Sequence, residues 1–119
     1  LEIVKKILEN LPEFDTLNKK YINQDFEDED GDTIAFYVEH HLEELDEDEL
    51  GNIIDFENEA VEPEKQFINA LHLVRVGFYP DEEGYFATFD YSIGRDLTND
   101  LVVIHTKENG ELEYMTMES

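Results

Sequence analysis

The spacing of apolar residues changes near Leu71, and this change limits the fold more than any other feature of the chain. Before it, apolar residues recur every three or four positions, which is typical of amphipathic helices. After it, β-branched and aromatic residues alternate with polar ones, as in strands with one buried face. Helices followed by strands favour an α+β fold over an alternating parallel one. We therefore predict one domain over residues 1–119, with N-terminal helices packed on a C-terminal antiparallel meander of about four strands.

Helical patterns fill the first 70 residues. Helical spacing runs from Leu1 to Leu11 and, less regularly, from Leu17 to Phe26. The clearest helix follows Asp32, which is able to cap it. Asp46 is the predicted N-cap of a short helix, and Pro63 suits the first turn of another. The clearest helix carries one apolar stripe: Ile34, Tyr37, Val38, His41, Leu42 and Leu45.

The pair Asn109-Gly110 predicts a tight hairpin turn between the last two strands. We expect a type I′ turn, because this pair tolerates the positive φ angles that such a turn needs at both central residues. A two-residue loop pairs Glu108 with Glu111. Counting back gives two apolar pairs on one face, in agreement with burial: Ile104 with Met115, and Val102 with Met117.

Charge is strongly one-sided. The chain holds 32 Asp and Glu against eight Lys and Arg, a net charge of −24. No Lys or Arg occurs from Tyr21 to Glu64, a stretch with 18 acidic residues. Such a surface repels nucleic acids and anionic membranes and attracts basic proteins and cations. We also expect a self-repelling fold. Added salt should raise its melting temperature, as should mild acid where crowding raises carboxylate pKa values.

The leading functional hypothesis is a non-enzymatic interaction protein that binds a basic partner through its acidic helical half, as an immunity-type protein would. A charged surface that serves solubility alone is the plain alternative. The candidate contact residues are six acids from the two densest clusters: Asp28, Asp30, Glu43, Glu44, Glu47 and Glu49.

A cation-binding module is the alternative from another class. Asp46, Asp48 and Glu57 match positions 1, 3 and 12 of a calcium-binding EF-hand loop, with Gly51 at position 6. Leu50 stands at position 5, where an oxygen ligand is expected. The competing interpretation is an N-cap followed by an acidic first helical turn.

No catalytic motif is present, so we expect neither an enzyme nor a cofactor, although an enzyme of unassigned reaction stays open. Ser92 lacks the flanking glycines of a nucleophile elbow. His41 is expected to pack in the apolar stripe, and His40 lies four residues before Glu44, within reach of a shared ion. Arg95 is expected to pair with a carboxylate such as Asp90 or Asp96.

The chain has no cysteine, which excludes disulfides, thiolate metal sites and thiol nucleophiles. The absence favours a reducing, cytoplasmic location. No apolar stretch approaches the roughly 20 residues of a membrane helix.

The C-terminal part carries a family resemblance. The run from Leu73 to Pro80, the segment from Phe89 to Gly94, the Asn-Gly turn and the closing Met117-Glu118-Ser119 are similar to a family of small bacterial proteins classed as a domain of unknown function. The similarity spans Phe67 to Ser119. It implies an α+β fold and a bacterial source, and it implies no activity and no site residues.

Overall fold

A computed structural model describes residues 2–119 and confirms the α+β fold. Within that range, helices occupy the N-terminal side and strands the C-terminal side. The helices are α1 (Glu2–Glu9), α2 (Leu11–Glu27), α3 (Thr33–Glu44), α4 (Glu47–Gly51) and α5 (Pro63–Asn69). The strands are β1 (His72–Phe78), β2 (Ala87–Ser92), β3 (Leu101–Thr106) and β4 (Leu112–Glu118).

The strands form one sheet in the order β1-β2-β3-β4, with every neighbouring pair antiparallel, which is the predicted meander. One face of the sheet packs on the helices through a shared core. Phe89, Tyr91 and Ile104 supply its sheet side, and Tyr37 and Phe67 its helical side; all five are fully buried. Alternate residues along each strand face the other way, so a second sheet face lies opposite the helices.

The turn between β3 and β4 differs from the prediction. Among residues 2–119, only glycines have positive φ, so Asn109 cannot adopt a type I′ conformation. The Gly110 N–H donates to the Lys107 carbonyl at 3.1 Å, and the Lys107 N–H donates to the Glu111 carbonyl at 2.9 Å. This is a type I turn followed by a glycine bulge, with Gly110 at φ 90°. The predicted Glu108–Glu111 pairing is therefore wrong.

The predicted register is nevertheless confirmed. Ile104 lies opposite Met115, and Val102 lies opposite Met117. The loop has three residues instead of the predicted two, which shifts the pairing by one residue next to the turn. A β-bulge in β4 shifts the pairing back by one residue, so the predicted register holds beyond it. Thr106 faces Leu112 while His105 faces Tyr114, which leaves Glu113 without a partner across the ladder.

The start of α3 is held by the helix before it. Asp32 occupies the N-cap position, but its side chain makes no capping hydrogen bond. Instead, Asp25 Oδ2 of α2 accepts a hydrogen bond from the Ile34 N–H at 2.9 Å. A Cβ at Gly31 would collide with the Asp25 carbonyl, so the turn requires glycine there. The hydrogen bond to Asp25 and the close fit at Gly31 together fix the position at which α3 begins relative to α2.

Candidate functional sites

The predicted acidic contact residues form two groups rather than one. Helix α3 has 12 residues, and at 1.5 Å per residue it spans about 18 Å. Asp28 and Asp30 precede its first turn. The other four candidates lie at its opposite end, in its last turn or in α4 and its cap: Glu43, Glu44, Glu47 and Glu49.

Neither group is neutralised by the protein itself. In residues 2–119, six acidic side chains lie within ion-pair distance of a Lys or Arg, and none is one of the six candidates. Except for Glu49, which is half-buried, the candidates are exposed. Both groups therefore present uncompensated negative charge. The six paired acids are Glu9, Asp15, Glu27, Asp90, Glu111 and Glu113.

An exposed aromatic residue lies between the two groups. The Phe36 side chain is 59% exposed, and its ring stacks on His40 with centroids 6.0 Å apart. Glu39 and Glu43 follow three and seven residues later, on the same side of α3, and both are exposed. We call these four residues the acidic α3 surface. Phe36 was missed from the sequence, although its position outside the apolar stripe already indicated exposure.

The calcium candidates do not form a cation site. Asp46 is the N-cap of α4, where its Oδ1 accepts from the Glu49 N–H at 2.8 Å and the Glu49 side chain accepts from the Asp46 N–H. This capping box makes residues 47–51 helical, whereas an EF-hand needs a loop there. Among residues 2–119, no three Asp, Glu or His side chains are placed to hold a metal ion. The structure thus does not bring Asp46, Asp48 and Glu57 together as ligands.

His41 packs in the core, as expected, and also ties α3 to the loop after β2. Its Nδ1 lies 2.7 Å from the Tyr37 carbonyl, so that nitrogen carries the proton. Its Nε2 accepts from the Thr98 hydroxyl at 3.0 Å. Both histidines approach Asp100 Oδ2, at 3.4 Å from His40 Nε2 and 3.6 Å from His41 Nε2.

The pKa of His41 predicts how stability changes with pH. Burial lowers this pKa from the usual 6.5, with a smaller contribution from His40, while the Tyr37 carbonyl and Asp100 oppose the change. The unfolded chain then binds more protons than the native state below about pH 6.5. The free energy of unfolding should fall as pH drops from 7.5 to 5.5, measured by urea denaturation in about 0.5 M NaCl to screen surface charge.

Two substitutions test this assignment. In His41→Gln, the loss of stability over the same pH range should be smaller than in the wild type. In His72→Gln, where the replaced side chain is exposed, the pH dependence should stay unchanged. Equal pH dependence in the wild type and His41→Gln would show that another group is responsible.

A polar cavity of about 230 Å³ opens on the sheet face opposite the helices. We call it the sheet cavity. Arg75 of β1 and Asp90 of β2 are neighbours across the ladder, and Arg75 Nε donates to Asp90 Oδ2 at 2.7 Å. Arg75, rather than the predicted Arg95, is thus the partner of Asp90. The side chains of the cavity that bear on its chemistry are those of Arg75, Tyr79, Tyr85, Asp90, His105 and Glu118.

An aromatic cluster forms one side of the sheet cavity. The His105 ring stacks on Tyr114 with centroids 4.0 Å apart and meets Tyr85 edge-on at 4.9 Å. His105 is only 6% exposed, and its Nδ1 has no hydrogen-bond partner in residues 2–119. Burial lowers the pKa of His105, although Glu118 and Asp90 oppose this, so the ring is neutral at pH 7.

A larger groove lies between the N-terminal helices and the β3–β4 turn. Its volume is about 370 Å³, and Phe14, Leu17 and Asn109 contribute to its walls. The charged groups along it, Lys6 and Glu13, are exposed side chains. The groove therefore lacks the buried polar groups that fix a ligand's orientation.

Comparisons with known proteins give no family assignment. No family model, curated protein or solved structure matches the chain. The resemblance to a bacterial domain of unknown function therefore stays a prediction. No helix in residues 2–119 combines the length and the apolar character needed to cross a membrane.

Proposed function

We propose that this chain is a non-enzymatic interaction protein whose acidic α3 surface binds a basic protein partner. The observation that carries the proposal is the 59% exposed ring of Phe36, which lies on a helix beside the exposed carboxylates of Glu39 and Glu43. Buried aromatic anchors dominate the affinity of many protein interfaces. Surrounding charges mainly accelerate and orient association. An immunity-type protein that acts on a basic toxin is one form of this function.

A surface that serves solubility alone predicts no role for Phe36, whereas an exposed Phe that stacks on His40 beside two carboxylates suits an interface anchor. Charged residues keep a protein soluble without any exposed aromatic side chain, and exposed Phe works against solubility. The two acidic groups at the ends of α3 extend the negative surface over about 18 Å, the length of the helix. A partner segment with Lys and Arg spread over a similar length matches this pattern.

Binding to a Lys-rich amphipathic peptide with a Leu-rich face tests the proposal by fluorescence anisotropy. We expect Phe36→Ala to weaken binding about tenfold, the loss typical of an interface anchor. Phe56→Ala is the matched control, because Phe56 is 58% exposed but lies outside α3. Equal affinities of the two variants would contradict the proposal.

The contribution of the acidic side chains to peptide binding is tested with a separate pair of variants. Glu39→Gln/Glu43→Gln should weaken binding and reduce its salt dependence, because two attracting charges are removed from the contact surface. Glu83→Gln/Glu108→Gln removes the same charge from exposed loops on the strand side. If both double variants bind alike, attraction comes from the net charge alone and the acidic α3 surface is not the contact.

A further inference from the structure

The sheet cavity lies on the opposite side of the sheet from the acidic α3 surface and has a different composition. We propose that it binds an organic cation, an ammonium or guanidinium group on a chain the size of a Lys or Arg side chain. This site does not depend on the proposed function of α3. The proposal rests on a buried carboxylate, that of Asp90, and two tyrosine rings that line the same cavity.

Asp90 supplies the buried negative charge. Asp90 is only 2% exposed, and it lines the cavity. Arg75 Nε engages one carboxylate oxygen, Oδ2, while Oδ1 accepts no hydrogen bond from residues 2–119. Oδ1 is therefore free to accept hydrogen bonds from a group that enters the cavity. The N–H groups of a bound ammonium or guanidinium would donate these bonds.

Glu118 adds a second carboxylate. It lines the same cavity and accepts a hydrogen bond from the Thr116 hydroxyl at 2.8 Å, and it forms no ion pair within residues 2–119. Burial, followed by Glu82 and other neighbours that include Glu118, raises the pKa of Tyr85. His105 is neutral, and Arg75 is balanced by Asp90. The cavity therefore carries a net negative charge.

Tyrosine rings form the walls that suit a cation. Tyr79 and Tyr85 lie 5.7 Å apart between centroids, with their planes at 68°. The two rings thus pack edge to face, and both residues line the cavity, where a tyrosine ring attracts a cation within about 6 Å of its centre. Nearby, Tyr85 meets the neutral ring of His105 at 85°. The aromatic cluster thus favours a cation without adding charge.

Size and charge narrow the ligand further. A volume of about 230 Å³ is below the range of about 300–1,000 Å³ that is usual for drug-sized ligands, so a group of few heavy atoms fits. An anion would be repelled by Glu118, and the Arg75 guanidinium that could attract it is already paired with Asp90, inside a protein of net charge −24. That same field raises the local concentration of cations.

NMR titration of the ¹⁵N-labelled protein tests the proposal. We expect methylguanidinium, butylammonium and the peptide acetyl-Gly-Lys-Gly-amide to shift the amide signals of Thr88 and His105 saturably. The peptide with norleucine in place of Lys, and propionate, should not. Tighter binding of the peptide than of butylammonium identifies a side chain in a polypeptide as the source, and the reverse identifies a free amine. Binding of propionate, or of the norleucine peptide, would overturn the proposal.

Variants separate a specific site from general attraction. Tyr85→Leu and Glu118→Gln should each weaken binding about fivefold, the effect of losing one cation–π contact or one nearby charge. Glu29→Gln makes the same change in net charge at an exposed position outside the cavity and should bind like the wild type. Phe36→Ala should also bind normally, so failure here is distinct from failure at α3. Equal weakening in Glu118→Gln and Glu29→Gln would overturn the site.

Discussion

Replacing Phe89 by alanine should lower the free energy of unfolding by about 3–5 kcal/mol. Phe89 is fully buried on β2, between Val76 of β1 and Ile104 of β3. Its ring stacks on Phe14 of α2 with centroids 6.2 Å apart. The truncated side chain would leave a cavity where the sheet meets the helices, and neighbours on three elements cannot all move to fill it.

Urea denaturation at pH 7.5 measures this loss. Because the whole stability of a domain is about 5–15 kcal/mol, the variant should unfold at a much lower urea concentration. Phe56→Ala is again the control: its ring is 58% exposed, and its removal should change stability by less than about 0.5 kcal/mol. Similar midpoints for the two variants would show that Phe89 is not central to the core.

Adding NaCl at pH 7.5 should raise the melting temperature strongly. Of the 32 acidic residues, 26 have no Lys or Arg within ion-pair distance in residues 2–119. Their mutual repulsion is larger in the compact state than in the unfolded chain. Salt screens it, with a Debye length of about 10 Å at 0.1 M and about 3 Å at 1 M. A midpoint that does not rise with salt would mean that repulsion is not a significant destabilising force.

Two double variants locate the repulsion. Glu43→Gln/Glu44→Gln should raise the low-salt melting temperature, because both charges lie in the last turn of α3, where the helix dipole is also negative. Glu111→Gln/Glu113→Gln removes the same number of charges, but these carboxylates pair with Lys107 at 3.6 and 3.4 Å. It should give little or no increase. If the second variant gains as much as the first, net charge alone matters.

The sheet could be predicted from sequence because burial restricts its register. Ile104 and Val102 must face Met115 and Met117 for all four to share the core side, and this holds whatever the turn between them. The predicted turn type was wrong because Asn-Gly suits both a type I′ turn and a type I turn followed by a glycine bulge. Gly110 takes positive φ in both, whereas Asn109 does so only in type I′. The two turn residues therefore did not determine the turn type, whereas the hydrophobic pattern did determine the strand register.

Helix boundaries were less predictable. Helix α2 begins at Leu11 and has a proline in its first turn, whereas the apolar pattern indicated a start near Leu17. Proline tolerates the first turn of a helix, so Pro12 marks a beginning here. The convergence of His40 and His41 on Asp100 was also missed. It depends on the path of the loop after β2, which local spacing along α3 does not specify.

The acidic candidates were identified individually, but their division at the two ends of α3 needed the structure. Part of the sheet cavity could be predicted from the sequence. The predicted register already pairs His105 with Tyr114, since both count from the same turn as Ile104 and Met115. The sequence did not predict which residues of β1 face the cavity. Arg75 lies opposite Asp90 because the pairing of β1 with β2 shifts register between Leu73 and Arg75. Bulges leave no clear signal in one sequence.

The contact between α2 and the β3–β4 turn bears on the order of folding during synthesis. The Tyr21 hydroxyl donates to the Gly110 carbonyl at 2.9 Å, across 89 positions of the chain. A Cβ at Gly110 would lie 2.9 Å from the Phe14 ring, so the turn fits closely against α2. The helices α1 and α2 are thus made before the β3–β4 hairpin and gain this packing surface only when that hairpin has left the ribosome. Such long-range closure slows folding, and until then the apolar sides of α1 and α2 remain open to chaperones.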